Sequence, residues 1–328
     1  MEQLDFLAIG DITTDAFIEL GDAFTEEKDG QTMLCMRFGD KIAYKDVIIV
    51  PAVGNSPNAA VSAHRLGLRA GLVTNVGDDA FGKEDIAQLQ SEGIDTRYVH
   101  INEGKKSNYH YVLRLGAERT ILVKHYEYEY KLPNFDLPPR FIYLSSLAES
   151  SFDFHTDIAE YVEHHPETKL VFQPGTFQMK FGKDRLARIY SATHIFFCNK
   201  EEAERILEIQ SNDILELMKR MHAIGPKIVC ITDGPKGAYA YDGVTAWKMP
   251  MYPDPAPPQN RTGAGDAFAS TFTTAVALGL DIPTALAWGP INSAYVVQKV
   301  GAQKGLLSRA QLEEHLAHAP AEYKAQAI

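Results

Sequence analysis

Short apolar runs of strand length recur along the chain. They alternate with longer segments whose apolar residues repeat every three or four positions. The runs predict strands at residues 6–9, 71–75, 141–144, 169–172, 194–198 and 227–231. The longer repeats predict helices at 57–66, 83–91, 154–164, 184–189, 201–207, 214–224 and 267–278. Strand–helix alternation of this kind implies α/β architecture: a mainly parallel sheet with helices on both faces. Two stretches break the rhythm. No helix of useful length fits 16–51, where 33–38 and 46–50 are strand-like. Residues 108–115 and 119–126 are also strand-like, split by a turn at Gly116-Ala117-Glu118. The two stretches are expected to form one small antiparallel subsheet, discontinuous in sequence. The prolines of 250–258 read as an extended approach to the loop that follows, not as a linker.

Composition narrows the possible functions. The 328 residues hold one large α/β domain or two small ones, and the core is ample in either case. A net charge of −11 with no long Lys/Arg run argues against a nucleic-acid partner. No apolar stretch approaches the roughly 20 residues that cross a bilayer, and the acidic start is unlike a signal peptide. Cys35, Cys198 and Cys230 are too few and too scattered for a disulfide or zinc framework, which fits a cytoplasmic location. The histidines are scattered too and read as surface or structural residues.

The polar residues fall at strand ends. Gly10-Asp11, Asn75-Val76-Gly77, Gln173-Pro174-Gly175, Asn199 and Thr232-Asp233-Gly234 each follow an expected strand directly. In an open α/β sheet these ends share one edge, where ligands bind. Late in the chain Gly263-Ala264-Gly265-Asp266 opens a helix. Its free amides and positive dipole end suit an anion, and Asp266 beside them can take a proton from an attacking hydroxyl. An acidic residue placed only to suit the helix dipole accounts for the same four residues equally well.

The whole series of motifs tips the balance. Asn260-Arg261-Thr262-Gly263-Ala264-Gly265-Asp266 resembles the second signature of the ribokinase, or PfkB, carbohydrate kinases. Residues 54–67, from Gly54-Asn55-Ser56-Pro57-Asn58 onward, and 72–82, ending in Gly77-Asp78-Asp79-Ala80-Phe81-Gly82, resemble the first. Asn199-Lys200-Glu201-Glu202 is similar to the family's Asn-X-X-Glu motif, and Thr232 to Gly237 to its Thr-X-Gly-X-X-Gly loop. The resemblance implies a ribokinase-like three-layer α/β/α sandwich in a single domain, 1–328, with a small β lid from about 16–51 and 104–126. It implies ATP-dependent phosphorylation of a hydroxymethyl group on a sugar or nucleoside. Asp266 would be the base, and the amides of Gly263, Ala264 and Gly265 would hold the γ-phosphate. Asn199, Thr232, Gly234, Gly237 and, near the adenine, Asn292 would bind the nucleotide. Glu202 would position Mg²⁺ through water. Asp11, Asp15, Gly54, Asn55 and Asn58 would hold the acceptor, and a homodimer through the lid is compatible with exposed lid strands.

The chain also departs from the pattern. Asn260 stands where an aspartate usually begins the second signature, which leaves a monovalent cation in question, and Arg261 beside it is unusual. Gly-Asn-Ser-Pro-Asn lacks the lysine of ribokinase proper. Rival readings are a phosphosugar kinase using Arg37, Lys41, Arg114, Arg119 and Lys124, and an inactive sugar or nucleotide sensor. A nicotinamide dehydrogenase is disfavoured because the late glycine loop lacks a third glycine and follows no first strand.

Overall fold

The computed structural model describes residues 2–116, 118–259 and 261–328. Among them, ten strands make the main sheet. Seven are parallel. From the middle outward in one direction they are Phe6–Ile9, Ala70–Gly77 and Val99–Asn102. In the other direction they are Phe141–Leu144, Lys169–Phe172, Thr193–Asn199 and Ile228–Thr232. Ala238–Tyr241, Ala246–Met249 and Gln326–Ala327 then extend the sheet antiparallel.

The apolar runs are continuous because both faces are covered. Phe6, Ala8, Phe141, Tyr143, Val171, Ile195 and Phe197 point into one core. There they meet the helices Asn55–Arg65, Ala264–Ala277 and Ile282–Val296. Their neighbours Leu7, Ile9, Ile142, Leu144, Phe172 and Phe196 point into the other. That side is covered by Phe152–His164, Ala187–Ala192, Lys200–Leu207 and Ile214–Ala223. The result is the three-layer sandwich expected from the alternation.

Several boundaries differ from expectation. The helix at Asn55–Arg65 starts two residues before the expected Pro57, since a proline costs nothing in a first turn whose N–H groups are unpaired anyway. The late helix Ala264–Ala277 takes in the Gly-Ala-Gly-Asp motif, because Gly263 supplies its N-cap at φ 85°. The expected helix 184–189 forms at Ala187–Ala192, preceded by a short helix, Thr176–Phe181, too brief to leave a periodic pattern.

The small β layer is not one antiparallel sheet. Four strands run in the order Tyr44–Val53, Thr13–Leu20, Tyr109–Leu115, Glu118–Leu122, and the central pair is parallel. Phe24–Lys28 and Gln31–Cys35 form a separate, exposed hairpin, so the strand expected at 33–38 never joins the layer. The parallel pairing follows from chain path. Residues 13–20 and 109–115 both leave the main sheet at its carboxyl edge and travel outward together. Among the described residues, no helix is long and apolar enough to cross a membrane.

Candidate active site

Asp266 lies in the first turn of Ala264–Ala277, where an exposed carboxylate would satisfy the helix dipole. It is not exposed. Its side chain is buried and receives three amide donors from two distant segments. Asn55 Nδ2 donates to Oδ1 at 2.7 Å, Asn58 Nδ2 to Oδ2 at 2.9 Å, and Gln173 Nε2 to Oδ1 at 3.2 Å. Asn55 and Asn58 reach it together because residues three apart share a helix face. Gln173 follows the strand Lys169–Phe172 directly and is itself held by the Tyr143 hydroxyl, which donates to its Oε1. Burial pushes the Asp266 pKa above the usual carboxylate value, against the opposing pull of the three amides. That direction suits a general base working near neutral pH.

Asn58 is also oriented from behind. Gln303 Nε2 donates to its Oδ1 at 3.1 Å and to the Ala52 carbonyl at 2.7 Å. Gly54 caps the same helix at φ 126°, and a Cβ there would come within 2.6 Å of the Asp11 carbonyl oxygen. Only glycine permits that approach.

On the other side of Asp266 a cavity of about 240 Å³ opens beside the helix start. Ala264 and Gly265 line it, together with Thr232, Gly234, Gly237 and Arg261. Thr232 ends its strand in register with Asn199, and a 3₁₀ turn at Gly234–Lys236 follows. A Cβ on Gly237 would collide with the Met249 carbonyl oxygen at 2.1 Å. Asn199 and Glu202 form a reciprocal capping box: Glu202 N–H donates to Asn199 Oδ1 at 2.8 Å, and Asn199 N–H to Glu202 Oε2 at 2.9 Å. Burial raises the Glu202 pKa; the Asn199 N–H opposes this, and the Asp266 charge adds to it. Among the described residues, no cluster of three or more His, Cys, Asp or Glu could hold a metal on its own.

Asn292 does not lie where it was expected. It is fully buried and bridges helices: Nδ2 donates to Thr271 Oγ1 at 2.8 Å and Ser62 Oγ at 3.3 Å, and Oδ1 accepts from Leu307 N–H at 2.9 Å. Its neighbours Ser293, Ala294 and Val297 line the cavity instead. Asn260 falls outside the described residues. Arg37 is exposed beside the hairpin and pairs with Asp22 and Asp40.

Asp11 and Asp15 are buried where the chain passes from the main sheet into the small one. Tyr130 OH donates to Asp11 Oδ1 at 2.8 Å. His125 Nδ1 stands 3.2 Å from Asp11 Oδ2, and His110 Nδ1 stands 3.4 Å from Asp15 Oδ1. These two histidines are largely shielded from solvent, and each faces an aspartate. Nothing in sequence marked them: His110 meets Asp15 only once the strand Tyr109–Leu115 lies beside Thr13–Leu20, and His125 reaches Asp11 from the segment after Glu118–Leu122.

This arrangement belongs to a known group of enzymes. The family model for pfkB family carbohydrate kinases matches residues 51–309, and the chain belongs to that family. It is 26% identical over 278 residues to a ribokinase of Bacillus subtilis, covering 80% of this chain and 87% of the relative. It is also 26% identical over 308 residues to a nucleoside kinase of Methanothermobacter thermautotrophicus, covering 93% of each. A ribokinase of Arabidopsis thaliana, solved with ribose and ATP, superposes with TM-score 0.75 at 18% identity over 96% of this chain and 99% of that one. The protein is a carbohydrate or nucleoside kinase, acting by ATP-dependent phosphotransfer.

Proposed function

We propose that this kinase phosphorylates a hydroxymethyl group of a free sugar or nucleoside, with Asp266 as the general base. One observation carries the proposal: Asn55 and Asn58 of the early signature hold the late carboxylate directly. An acidic residue serving only the helix dipole needs no such partners. The acceptor enters between Asp266 and the Asp11–Asp15 side, and its hydroxyl donates to an Asp266 oxygen. The γ-phosphate lies against the first-turn amides at Gly263, Ala264 and Gly265, which have no intrahelical acceptors. The remaining nucleotide occupies the glycine-lined cavity, whose floor at Gly234, Gly237 and Gly265 leaves room for phosphate and base. As the hydroxyl oxygen bonds to the γ-phosphorus, its proton passes to Asp266 and ADP leaves.

Magnesium, when bound with the nucleotide, offsets the phosphate charge. Glu202 would hold it through water, which one half-buried carboxylate is enough to do, with Asn199 beside the phosphates. The small sheet serves as a lid that excludes water as a competing acceptor. Its row Ile49–Ala16–Tyr111–Leu122 leaves Ile49, Tyr111 and Leu122 about half exposed, which supports pairing of two lids in a homodimer.

Asp266→Asn keeps the size and hydrogen-bonding reach of the side chain and removes the base. Turnover is expected to fall by about 10²-fold or more with ATP affinity nearly unchanged. Measurement of acceptor-dependent ADP release checks this, and unaltered turnover removes Asp266 from the mechanism.

A further inference from the structure

We infer that His110 and His125 are specificity-determining residues that bind the acceptor and, together with Asp11 and Asp15, select an uncharged vicinal diol over a phosphorylated one. The inference rests on the kinase reading above and names the acceptor class for the same site.

Unmet hydrogen-bonding capacity is concentrated here. Asp11 Oδ2, Asp15 Oδ1, His110 Nε2 and His125 Nδ1 are all shielded from solvent and lack a hydrogen-bond partner among the described residues. The two His–Asp approaches, at 3.2 and 3.4 Å, are near enough for ion pairs but not aligned as hydrogen bonds. Buried polar atoms without partners are rare in native proteins, and four in one place call for a ligand that satisfies them. The atoms alternate in kind. A carboxylate oxygen only accepts, while a neutral imidazole can donate through one nitrogen and accept through the other. A hydroxyl both donates and accepts, so it can bond a carboxylate and an imidazole at once. Asp11 Oδ2 and His125 Nδ1 offer one such pair; Asp15 Oδ1 and His110 Nε2, the ring nitrogen turned away from Asp15, offer the groups for a second hydroxyl.

The rings are linked as well. His110 packs edge-on against His125 at 5.3 Å, and His125 against Phe177 at 6.0 Å. The imidazoles thus form one wall, fixed by neighbours from the strand Tyr109–Leu115, the segment after Glu118–Leu122 and the helix Thr176–Phe181. Charge supplies the selection. Asp11, Asp15 and Asp266 all border the acceptor site, and among the described residues none of them pairs with a Lys or Arg. A phosphate on the acceptor would meet carboxylates without the cationic fork that phosphate recognition requires.

The test compares wild type with His110→Gln, His125→Gln and His125→Phe. Initial rates are measured with ribose, fructose, adenosine and cytidine, and with fructose 6-phosphate, which keeps a free hydroxymethyl group at C1. Among the free acceptors the sugar and nucleoside arms show which source carries the diol. For the best acceptor, His125→Phe is expected to raise the acceptor KM about tenfold or more, because the diol loses a buried partner. The kcat and the KM for ATP should stay within about threefold. The glutamine variants should recover part of the loss, since an amide can donate and accept in place of an imidazole. Calorimetric titration of acceptor without ATP should show the same weakening, and it separates lost binding from a misfolded variant. Unchanged acceptor KM and affinity in the histidine variants, with wild type active, overturns the inference and leaves the kinase reading intact. A phosphorylated acceptor turned over with higher kcat/KM than its free counterpart overturns the inference and the choice of a free acceptor, but not phosphotransfer with Asp266 as base. Absence of ADP release with every acceptor overturns both.

Discussion

Asp85→Asn should make the protein more stable above neutral pH and no more stable in acid. Asp85 sits on the helix Ala80–Ser91, fully buried beneath the roots of the lid. Its Oδ1 accepts from Ala52 N–H at 2.7 Å and from Thr14 Oγ1 at 2.9 Å, while Oδ2 has no partner. Burial outweighs these two donors and lifts its pKa from 3.8 to about 7. Between those values the native state keeps a proton that the unfolded chain has released. Raising the pH through this window therefore costs the native state, and the loss is complete above the folded pKa. At 1.36 kcal/mol per unit the whole shift amounts to about 4 kcal/mol. The amide of Asn can accept from Ala52 and Thr14 without carrying the charge. The stability difference between variant and wild type should rise from near zero at about pH 4 to about 4 kcal/mol at about pH 8. Urea unfolding followed by the fluorescence of Trp247 and Trp288 at several pH values measures it. Other titrating groups are common to both proteins and cancel in the difference. Parallel stability curves across that range would refute the claim that Asp85 is held in a protonated, buried state.

Gly54→Ala should lose stability and weaken acceptor binding together. Its φ of 126° is strained for any Cβ, at about 1–3 kcal/mol, and the added atom would push on the Asp11 carbonyl; thermal unfolding and acceptor KM report the two effects. Glu202→Gln should preserve the capping box with Asn199 but raise the Mg²⁺ concentration for half-maximal activity by about 10-fold or more, as for loss of a supporting metal partner. A magnesium titration with an unchanged midpoint would remove Glu202 from metal binding. Ile49→Asp places a charge in the exposed lid row and should convert a homodimer to monomer in sedimentation analysis, with little change in Tm.

The fold was legible because parallel strands covered on both faces must be apolar throughout. Runs such as Phe141–Leu144 and Lys169–Phe172 therefore stood out with their observed boundaries. The small sheet was legible only in outline. The buried strand Thr13–Leu20 pairs with Tyr44–Val53, which is mostly exposed, so no single burial pattern marks the layer, and the strand order depends on contacts between residues about 95 apart, as for Thr14 and Tyr109. Asn292 misled because a polar residue in a helix has the same letter whether it faces a ligand or bridges buried hydroxyls. Gln173 was visible at a strand end, but its bond to Asp266 was not.

Sequence by itself determined the layered architecture and the glycine loop that opens the late helix, while its carboxylate could by local rules equally have served the helix dipole. Those follow from local rules: strand period, glycine backbone freedom and the free amides of a helix start. Tertiary structure alone decided which amides hold Asp266, that Gln303 steadies Asn58, and that His110 and His125 face Asp15 and Asp11. Such partnerships join segments up to a few hundred residues apart, and no local pattern encodes them. They exist because the sheet brings its strand ends to one edge and the lid folds back over it.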